Sequence, residues 1–275
     1  MIVFIDAFVD SRNSLTNVWL IRLVLAVVLS AATTASAQVT WSNPSTAGFS
    51  TLSLNTPTAF AFPGTGGMTM TRTSAVGSGV TTGSDTITYA ATTGTFTNPA
   101  WVVGTRTYYD VSFASGSSAP YAGSTVSYES QFTGGLATTS PLVFVDFDGG
   151  EQVVIKAYDH SNNLIPFAST SVLLSAGADS TPRFEDIEWA SFAGATGRLR
   201  NIFSDSESNI VASINSTTSL SRLIYEFDMN PDNDVSNPTI RYSFVAAVPE
   251  PSTYVMALAG LACGGYSMFR RRKRA

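Results

Sequence analysis

Short stretches in which apolar residues alternate with polar ones recur through the middle of the chain. Alternation with a period of two is typical of a β-strand that has one buried side and one solvent-facing side. Gly, Pro, Asn, Asp or Ser residues bound each stretch, and no sustained helical period occurs between residues 38 and 247. The apolar positions of the clearest stretches are Tyr109, Val111 and Phe113; Val126, Tyr128 and Phe132; Val143, Val145 and Phe147; Val153, Ile155 and Ala157; Leu223, Tyr225 and Phe227; and Ile240, Tyr242 and Phe244. The pattern predicts an all-β domain built as a β-sandwich or jelly roll.

The region before these stretches has a different composition. From Gly64 to Thr97 the chain is mostly Gly, Thr and Ser, with short apolar interruptions such as Ile87-Thr88-Tyr89. Thr favours strands and Gly favours turns, so we expect short strands joined by tight loops, with a disordered stalk as the alternative. A division near residues 115–123 would give two domains. A single sandwich over residues 38–247 is preferred, because the first part has few large apolar residues of its own.

The first 37 residues have the organisation of a secretory signal peptide. Arg22 precedes an apolar run from Leu23 to Leu29, and small residues follow up to Ala35-Ser36-Ala37, just before Gln38. A basic start, a short apolar core and an A-x-A site are the three parts of such a signal, and cleavage is expected after Ala37. Acidic residues at positions 6 and 10 are unusual in a signal peptide. One hypothesis is therefore that translation starts near Val18.

The last 28 residues contain three parts in order. Val248 is followed by Pro249-Glu250-Pro251, whose prolines disfavour helix and sheet ladders and predict an extended linker. The apolar segment from Tyr254 to Phe269 would be about 24 Å long as a helix, against a hydrocarbon core of roughly 30 Å. A basic cluster follows, consisting of Arg270, Arg271, Arg272, Lys273 and Arg274. We expect one transmembrane helix whose basic end stays on the cytoplasmic side.

These three parts, in this order, resemble the PEP-CTERM sorting signal of Gram-negative bacteria. The resemblance implies that an exosortase-type membrane protease recognises Pro249, Glu250 and Pro251. It also implies a precursor held in the inner membrane, removal of the tail, and delivery to the cell surface or extracellular matrix. An ordinary tail anchor that stays uncleaved is the alternative. The resemblance implies nothing about the chemistry of the exported domain.

Charge and cysteine content narrow the partners of that domain. Seven of the 15 basic residues and three of the 20 acidic ones lie in the two ends, which leaves eight and 17 in residues 38–247 and a net charge near −9. Nucleic acid and anionic lipid both need basic surfaces, so neither is expected as a partner. The one cysteine, Cys263, lies in the apolar tail segment. Disulfides, thiol nucleophiles and cysteine metal sites are therefore excluded from the exported domain.

Two acidic segments contain the oxygen ligands that Ca²⁺ prefers. In the first, two aspartates are expected on one face of a strand, and a hairpin at Gly149-Gly150 would join that strand to the next. The second resembles the opening of an EF-hand loop but lacks the later glycine and glutamate of that loop. The candidate calcium ligands are Asp146, Asp148, Asp228, Asn230, Asp232 and Asp234. Solvated acidic turns between strands are the alternative.

Catalytic signals are weaker than the sorting signals. His160 is the only histidine and no Gly-x-Ser-x-Gly motif accompanies it, so a loop histidine is favoured over a Ser-His-Asp triad. Zinc sites built from several His or Cys residues are excluded by their number. A glycan hydrolase would need two carboxylates roughly 5–10 Å apart in a cleft, for which Asp148 and Glu185 can be nominated.

Aromatic residues offer a further binding mode. Trp41, Trp101 and Trp189 could form a flat platform on which sugars stack. Alternation from Phe184 to Trp189 favours a core position for Trp189 instead.

Taken together, these features predict a non-catalytic surface or matrix protein that binds polysaccharide or neighbouring copies of itself, with calcium as the candidate cofactor. A secreted glycan hydrolase is the alternative.

Overall fold

The computed structural model describes residues 40–75, 79–113, 125–147, 151–202, 210–229 and 239–248. Within these ranges the regular structure consists of strands and three single 3₁₀ turns, at Phe49–Thr51, Phe167–Ser169 and Phe184–Asp186. The strands are β1 (Thr40–Ser42), β2 (Thr58–Phe60), β3 (Met68–Arg72), β4 (Val80–Tyr89), β5 (Thr92–Thr93), β6 (Phe96–Thr97), β7 (Gly104–Phe113), β8 (Val126–Leu136), β9 (Leu142–Phe147), β10 (Glu151–Tyr158), β11 (Thr170–Ser175), β12 (Ile187–Ala190), β13 (Gly197–Asn201), β14 (Ile210–Ser216), β15 (Leu220–Met229), β16 (Thr239–Phe244) and β17 (Ala246–Val248).

Most strands belong to two antiparallel sheets that face each other. The larger sheet has the strand order β12-β13-β10-β15-β8-β3-β2, and the smaller has the order β11-β14-β9-β16-β7-β4. Aromatic rings from the two sheets meet between them. The ring centres of Phe227 and Tyr242 are 4.8 Å apart, and those of Phe132 and Phe244 are 5.1 Å apart. The described part of the chain is therefore all-β, as predicted, with its sheets in a sandwich-like arrangement.

The alternating stretches supply the residues buried in this structure. Every apolar position predicted from them is at most 4 % exposed. All of these positions except Val143 and Val145 belong to the main core between the two sheets. Period-two alternation therefore identified the buried positions, because each strand lies with one face against the opposite sheet.

Strand β9 departs from the predicted alternation at Asp146. Val143 and Val145 lie in a second, smaller apolar cluster, whereas Phe147 lies in the main core. Two residues of β9 stand opposite one of β14 at this point, and Asp146 has a φ of 55°, in the left-handed region. These features define a β-bulge. The prediction that Val143, Val145 and Phe147 share one face is wrong, because a bulge reverses the facing of the residues that follow it.

Strands β9 and β10 do not form the predicted hairpin. Strand β9 lies between β14 and β16 in the smaller sheet, whereas β10 lies between β13 and β15 in the larger one. The connection that contains Gly149 and Gly150, residues outside the described ranges, therefore crosses from one sheet to the other. The connection from β15 to β16 also crosses between the sheets. The strands on either side of these two connections are neighbours, since β10 pairs with β15 in the larger sheet and β9 pairs with β16 in the smaller one.

The Thr- and Gly-rich region forms regular strands where it is described. Strand β4 has ten residues and pairs along its whole length with β7. The strand prediction is confirmed there, and the stalk alternative is wrong for these residues. The predicted strand from Phe184 to Trp189 is wrong in its first half, because a 3₁₀ turn at Phe184–Asp186 precedes the short strand β12.

Candidate functional site

An open groove lies on the outer face of the larger sheet. Strands β3, β8 and β15 form its floor, the turn after β10 forms one wall, and it encloses about 660 Å³. Alternate residues of these strands point outward because their neighbours fill the core. Thr69, Gln131, Arg222 and Tyr158 consequently fall in one row across four adjacent strands. The groove is therefore built from the side chains left over after core packing.

Arg222 is the centre of the polar contacts in the groove. Its guanidinium donates a hydrogen bond to Asn162 Oδ1 at 2.7 Å and lies 3.5 Å from Glu129 Oε2. The guanidinium carbon also lies 3.9 Å from the centre of the Tyr158 ring, in a cation–π contact. Glu129 accepts a further hydrogen bond from Gln131 Nε2 at 2.6 Å. A guanidinium, a carboxylate, an amide and an aromatic ring are thus held in fixed positions at the surface.

Asp159 shapes the turn that forms the wall. Its carboxylate accepts hydrogen bonds from the backbone N–H groups of Ser161 and Asn163, both at 2.8 Å, and from the Asn163 side-chain amide at 3.1 Å. The hydrogen bonds from Asn163 lower the pKa of Asp159, so this carboxylate is ionised at neutral pH. A carboxylate with several donors already bound is suited to holding a turn and poorly suited to donating a proton.

The single histidine lies at the same groove. A Cβ atom added to Gly135 would come within 2.6 Å of His160 Nε2, so the imidazole lies directly over the backbone of β8. Ser221 also lines the groove, and its hydroxyl donates to the Asp159 carbonyl oxygen at 2.5 Å. The serine hydrogen is therefore directed to a backbone carbonyl. The predicted loop position of His160 agrees with this geometry.

The structure describes two of the six predicted calcium ligands. Asp146 lies at the bulge of β9, where its carboxylate is ion-paired with Arg241 of β16. Asp228 lies in β15, opposite Gln152 of β10. The other four, Asp148, Asn230, Asp232 and Asp234, lie outside the described residues. Within the described ranges no three Asp, Glu, His or Cys side chains are grouped so as to hold a metal ion.

Arg241 joins four consecutive strands of the smaller sheet. Its Nε lies 3.0 Å from Asp85 Oδ2 of β4 and 3.7 Å from Asp110 Oδ2 of β7, in addition to the contact with Asp146 of β9. One guanidinium thus offsets the mutual repulsion of three carboxylates on neighbouring strands. The Arg241 side chain is only 20 % exposed. This arrangement stabilises the sheet and gives the Asp146 carboxylate a partner within the fold.

The three tryptophans do not form the predicted platform. Trp41 and Trp101 pack against the second apolar cluster, which also contains Tyr108 of the smaller sheet. Trp189 packs against the main core, and its Nε1 donates to Thr170 Oγ1 at 3.3 Å. The core position favoured for Trp189 is confirmed. The platform prediction is wrong because these rings are divided between two clusters.

The structure does not test the nominated catalytic pair, and the groove contains residues that were not predicted. Asp148 lies outside the described residues, and Glu185 is exposed on a 3₁₀ turn, so the nominated pair stays a prediction. Glu129, Tyr158 and Arg222 were not predicted as site residues. Their outward positions follow from the alternation, but the pairing of β10, β15 and β8, which lie far apart in sequence, brings them together. A single sequence contains no direct signal for that pairing.

A known sorting motif matches the segment that begins in strand β17. A profile of the PEP-CTERM protein-sorting motif matches residues 247–273, which include the Pro-Glu-Pro triplet and the basic cluster up to Lys273. The chain therefore contains a PEP-CTERM protein-sorting motif, which indicates an exported protein that is processed by an exosortase membrane enzyme and sorted to the cell surface. No curated protein and no solved structure matches the chain.

The predicted ends of the chain lie largely outside the described residues. Of the matched segment only Ala247 and Val248 are described, in β17, where they pair with Trp41 and Thr40 of β1. The signal cleavage residues Ala35, Ala37 and Gln38 and the segment from Pro249 onward are not described, so cleavage and the transmembrane helix stay predictions. No helix in the described ranges is long and apolar enough to cross a membrane.

Proposed function

We propose that the exported unit is a non-catalytic module, with a β-sandwich or jelly-roll fold, that binds a neutral extracellular polysaccharide in the groove around Arg222. The supporting observation is the set of fixed polar groups on an open sheet face, with Arg222 between Glu129, Asn162 and the Tyr158 ring. Sugar hydroxyls both donate and accept hydrogen bonds. A carboxylate and a guanidinium held side by side offer an acceptor and donors to neighbouring hydroxyls.

Charge favours a neutral polymer over an acidic one. The guanidinium of Arg222 already has Glu129 and Asn162 as partners, and Glu129 and Asp159 add two negative charges to the same groove. A uronic acid polymer would meet a local excess of negative charge on a domain that is acidic as a whole. A neutral hexose polymer avoids this repulsion.

Binding of the full-length chain to immobilised neutral glucan, mannan and galactan tests the proposal, with a uronic acid polymer as the comparison. Arg222→Ala removes the central donor, and loss of one charge-assisted hydrogen bond should lower affinity about tenfold or more. Arg198→Ala is the matched control, since Arg198 faces outward on β13, away from the groove lining, and contacts Phe192. The proposal fails if both variants bind as the wild type does, or if no neutral polymer binds.

A secreted glycan hydrolase remains the second candidate function, because Glu129 and Asp159 line the same groove. The hydrogen bonds that keep Asp159 ionised disfavour it as the general acid of such a pair. Release of reducing ends from a bound polymer would favour the hydrolase. Binding without product release would favour the binding module.

We also propose that calcium strengthens the unit at the two crossings between the sheets. Asp146 and Asp228 lie at the strand ends where these crossings begin, and the same strand ends are neighbours in both sheets. Asp148, Asn230, Asp232 and Asp234 belong in sequence to these two connections, and carboxylate and amide oxygens are the ligands that Ca²⁺ prefers.

A further inference from the structure

The two sheets end in four edge strands, and three of them have features that discourage pairing with another chain. Strand β12 carries Glu188, which is ion-paired with Arg200, and β2 has only three residues. Strand β4 carries Asp85 near its middle, ion-paired with Arg241. Charged side chains and short length are two ways in which natural sheets avoid edge-to-edge association.

Strand β11 has neither feature. Its six residues, Thr-Ser-Val-Leu-Leu-Ser, include no charge, proline or glycine, and its register with β14 is regular from Thr170 to Ser175. Leu173 is 49 % exposed, while Val172 and Leu174 pack partly against the main core. A regular, uncharged edge strand with an exposed leucine is a template for strand addition.

Hydrogen bonds show which backbone groups of β11 face away from β14. The Leu173 carbonyl accepts from Ser213 Oγ of β14 at 3.2 Å, and the Ser169 carbonyl accepts from the Thr217 backbone N–H at 2.9 Å. Carbonyl direction alternates along a strand, so the backbone groups of Val172 and Leu174 point to the free edge. Those groups are the ones available to an added strand.

We propose that two copies of this chain associate by antiparallel pairing of β11 with β11 about a twofold axis at Leu173. In this register Val172 of one copy forms a hydrogen-bonded pair with Leu174 of the other, and the two Leu173 side chains form the non-hydrogen-bonded pair between them. Residues opposite each other share a face, so the smaller sheets of both copies join into one continuous sheet.

The observations favour a second copy as the occupant of this edge. The sequence of β11 is complementary to itself, since the twofold register places leucine against leucine and valine against leucine. The exported part has a net charge near −9, so most contacts between copies would be repulsive, but β11 carries no charge. Pairing there also covers Leu173, the most exposed of the large apolar residues in the described ranges. The proposal does not depend on the polysaccharide groove.

Cysteine cross-linking tests the register directly. The test uses the full-length chain with Cys263→Ser, which removes the one native thiol. Leu173→Cys should form a disulfide-linked dimer on mild oxidation, because non-hydrogen-bonded pairs have Cα atoms about 4.5 Å apart, within disulfide range. Ser171→Cys is the matched control on the same strand. In the proposed register the two copies of this position would stand about 13 Å apart along the strands, too far to bridge.

A second variant tests association without cross-linking. Leu173→Lys should reduce the dimer fraction of the full-length chain at least tenfold in sedimentation experiments, because two lysines would meet at the axis. Leu54→Lys, at another exposed leucine, should leave it unchanged. Equal cross-linking of Leu173→Cys and Ser171→Cys, or a wild-type chain that stays monomeric in the sedimentation experiments, would overturn the proposal.

Discussion

At the scale of single residues, the core is distinguished by buried tyrosines. Tyr109, Tyr128, Tyr225 and Tyr242 lie together between the sheets, and each is at most 1 % exposed. The hydroxyls of Tyr225 and Ser130 are hydrogen-bonded to each other at 2.8 Å, and the Tyr225 hydroxyl also accepts a hydrogen bond from the Tyr242 hydroxyl at 3.2 Å. Burial raises the pKa of all four hydroxyls above the ordinary value for tyrosine. Folding therefore favours the protonated form of each hydroxyl.

This cluster makes stability sensitive to alkaline pH. Below about pH 10 tyrosines are protonated in both states, so their full contribution to stability is present there. As the pH rises above about 10, the unfolded chain loses tyrosine protons that the folded chain retains, and the free energy of unfolding falls. Each such tyrosine contributes a slope of about 1.4 kcal/mol per pH unit. Tyr225→Phe should remove one of these contributions, as measured by urea unfolding between about pH 9 and pH 11.

A control separates titration from packing. Tyr225→Phe should also cost about 1 kcal/mol at neutral pH through its lost hydrogen bonds. Phe244→Leu changes a ring in the same core that does not titrate. It should lower stability at every pH and leave the alkaline slope as it is in the wild type. An unchanged slope in Tyr225→Phe would show that this hydroxyl titrates equally in both states.

The residue scale also shows where sequence patterns stop being informative. The alternation identified the buried positions of most strands, because burial on one face imposes a period of two. It failed after Asp146, where one residue with a left-handed backbone is inserted into β9. Aspartate is among the few residues that adopt this conformation readily, but nothing in the neighbouring sequence distinguishes this position from an ordinary strand.

At the scale of elements, a close contact joins β12 to β13. The Trp189 ring of β12 lies over Gly197 of β13, so that a Cβ atom at Gly197 would overlap the ring carbons. Phe167 packs beside the indole, with the ring centres 5.7 Å apart. The Trp189 ring thus packs on the edge of the larger sheet, and it needs a glycine at position 197 to leave room for it.

Gly197→Ala should therefore displace the Trp189 ring and lower the free energy of unfolding by about 1–3 kcal/mol, the usual cost of overpacking. Urea unfolding measures the loss, and a red shift of tryptophan fluorescence would report exposure of the indole. Gly83→Ala on β4 is the matched control, because a Cβ atom there would meet nothing within 4 Å. It should be neutral or slightly stabilising. Equal effects of the two changes would contradict the assigned contact.

Elements were easier to predict than their pairing. The alternating stretches correspond to β7, β8, β9, β10, β15 and β16, and the Thr-rich region contains β4 as expected, but β11, β13 and β14 were not predicted as strands. The hairpin expected between β9 and β10 was wrong because a pair of glycines permits a tight turn without requiring one. The strand before the glycines lies in the smaller sheet and the strand after them lies in the larger one. Which sheet a strand joins depends on how well the whole core packs, and a local turn signal does not contain that information. The Arg222 groove was missed for the same reason.

At the scale of the whole molecule, the two ends of the described unit meet. Strand β1 begins at Thr40, after the predicted signal cleavage site, and it pairs with β17, which ends at Val248, just before the Pro-Glu-Pro triplet. The matched sorting motif begins at residue 247, so it overlaps the end of this strand pair. The sorting motif could be identified from sequence because its parts are contiguous, whereas the groove around Arg222 is assembled from distant strands.

The crossings between the sheets are the other feature of the whole molecule, and they carry the calcium proposal. A ligand that binds only the folded state adds RT ln(1 + [L]/Kd) to stability, which is about 2.7 kcal/mol at roughly one hundred times the Kd. Thermal unfolding of the full-length chain in about 2 mM Ca²⁺ should therefore occur several degrees higher than in EDTA. The double variant Asp232→Asn with Asp234→Asn should lose the shift, because two ligand charges are gone, while Glu185→Gln, an exposed acid elsewhere, should keep it. If the wild type melts at the same temperature with calcium and with EDTA, the acidic segments are solvated turns, and the stability of the unit comes from its own packing and ion pairs without a metal ion.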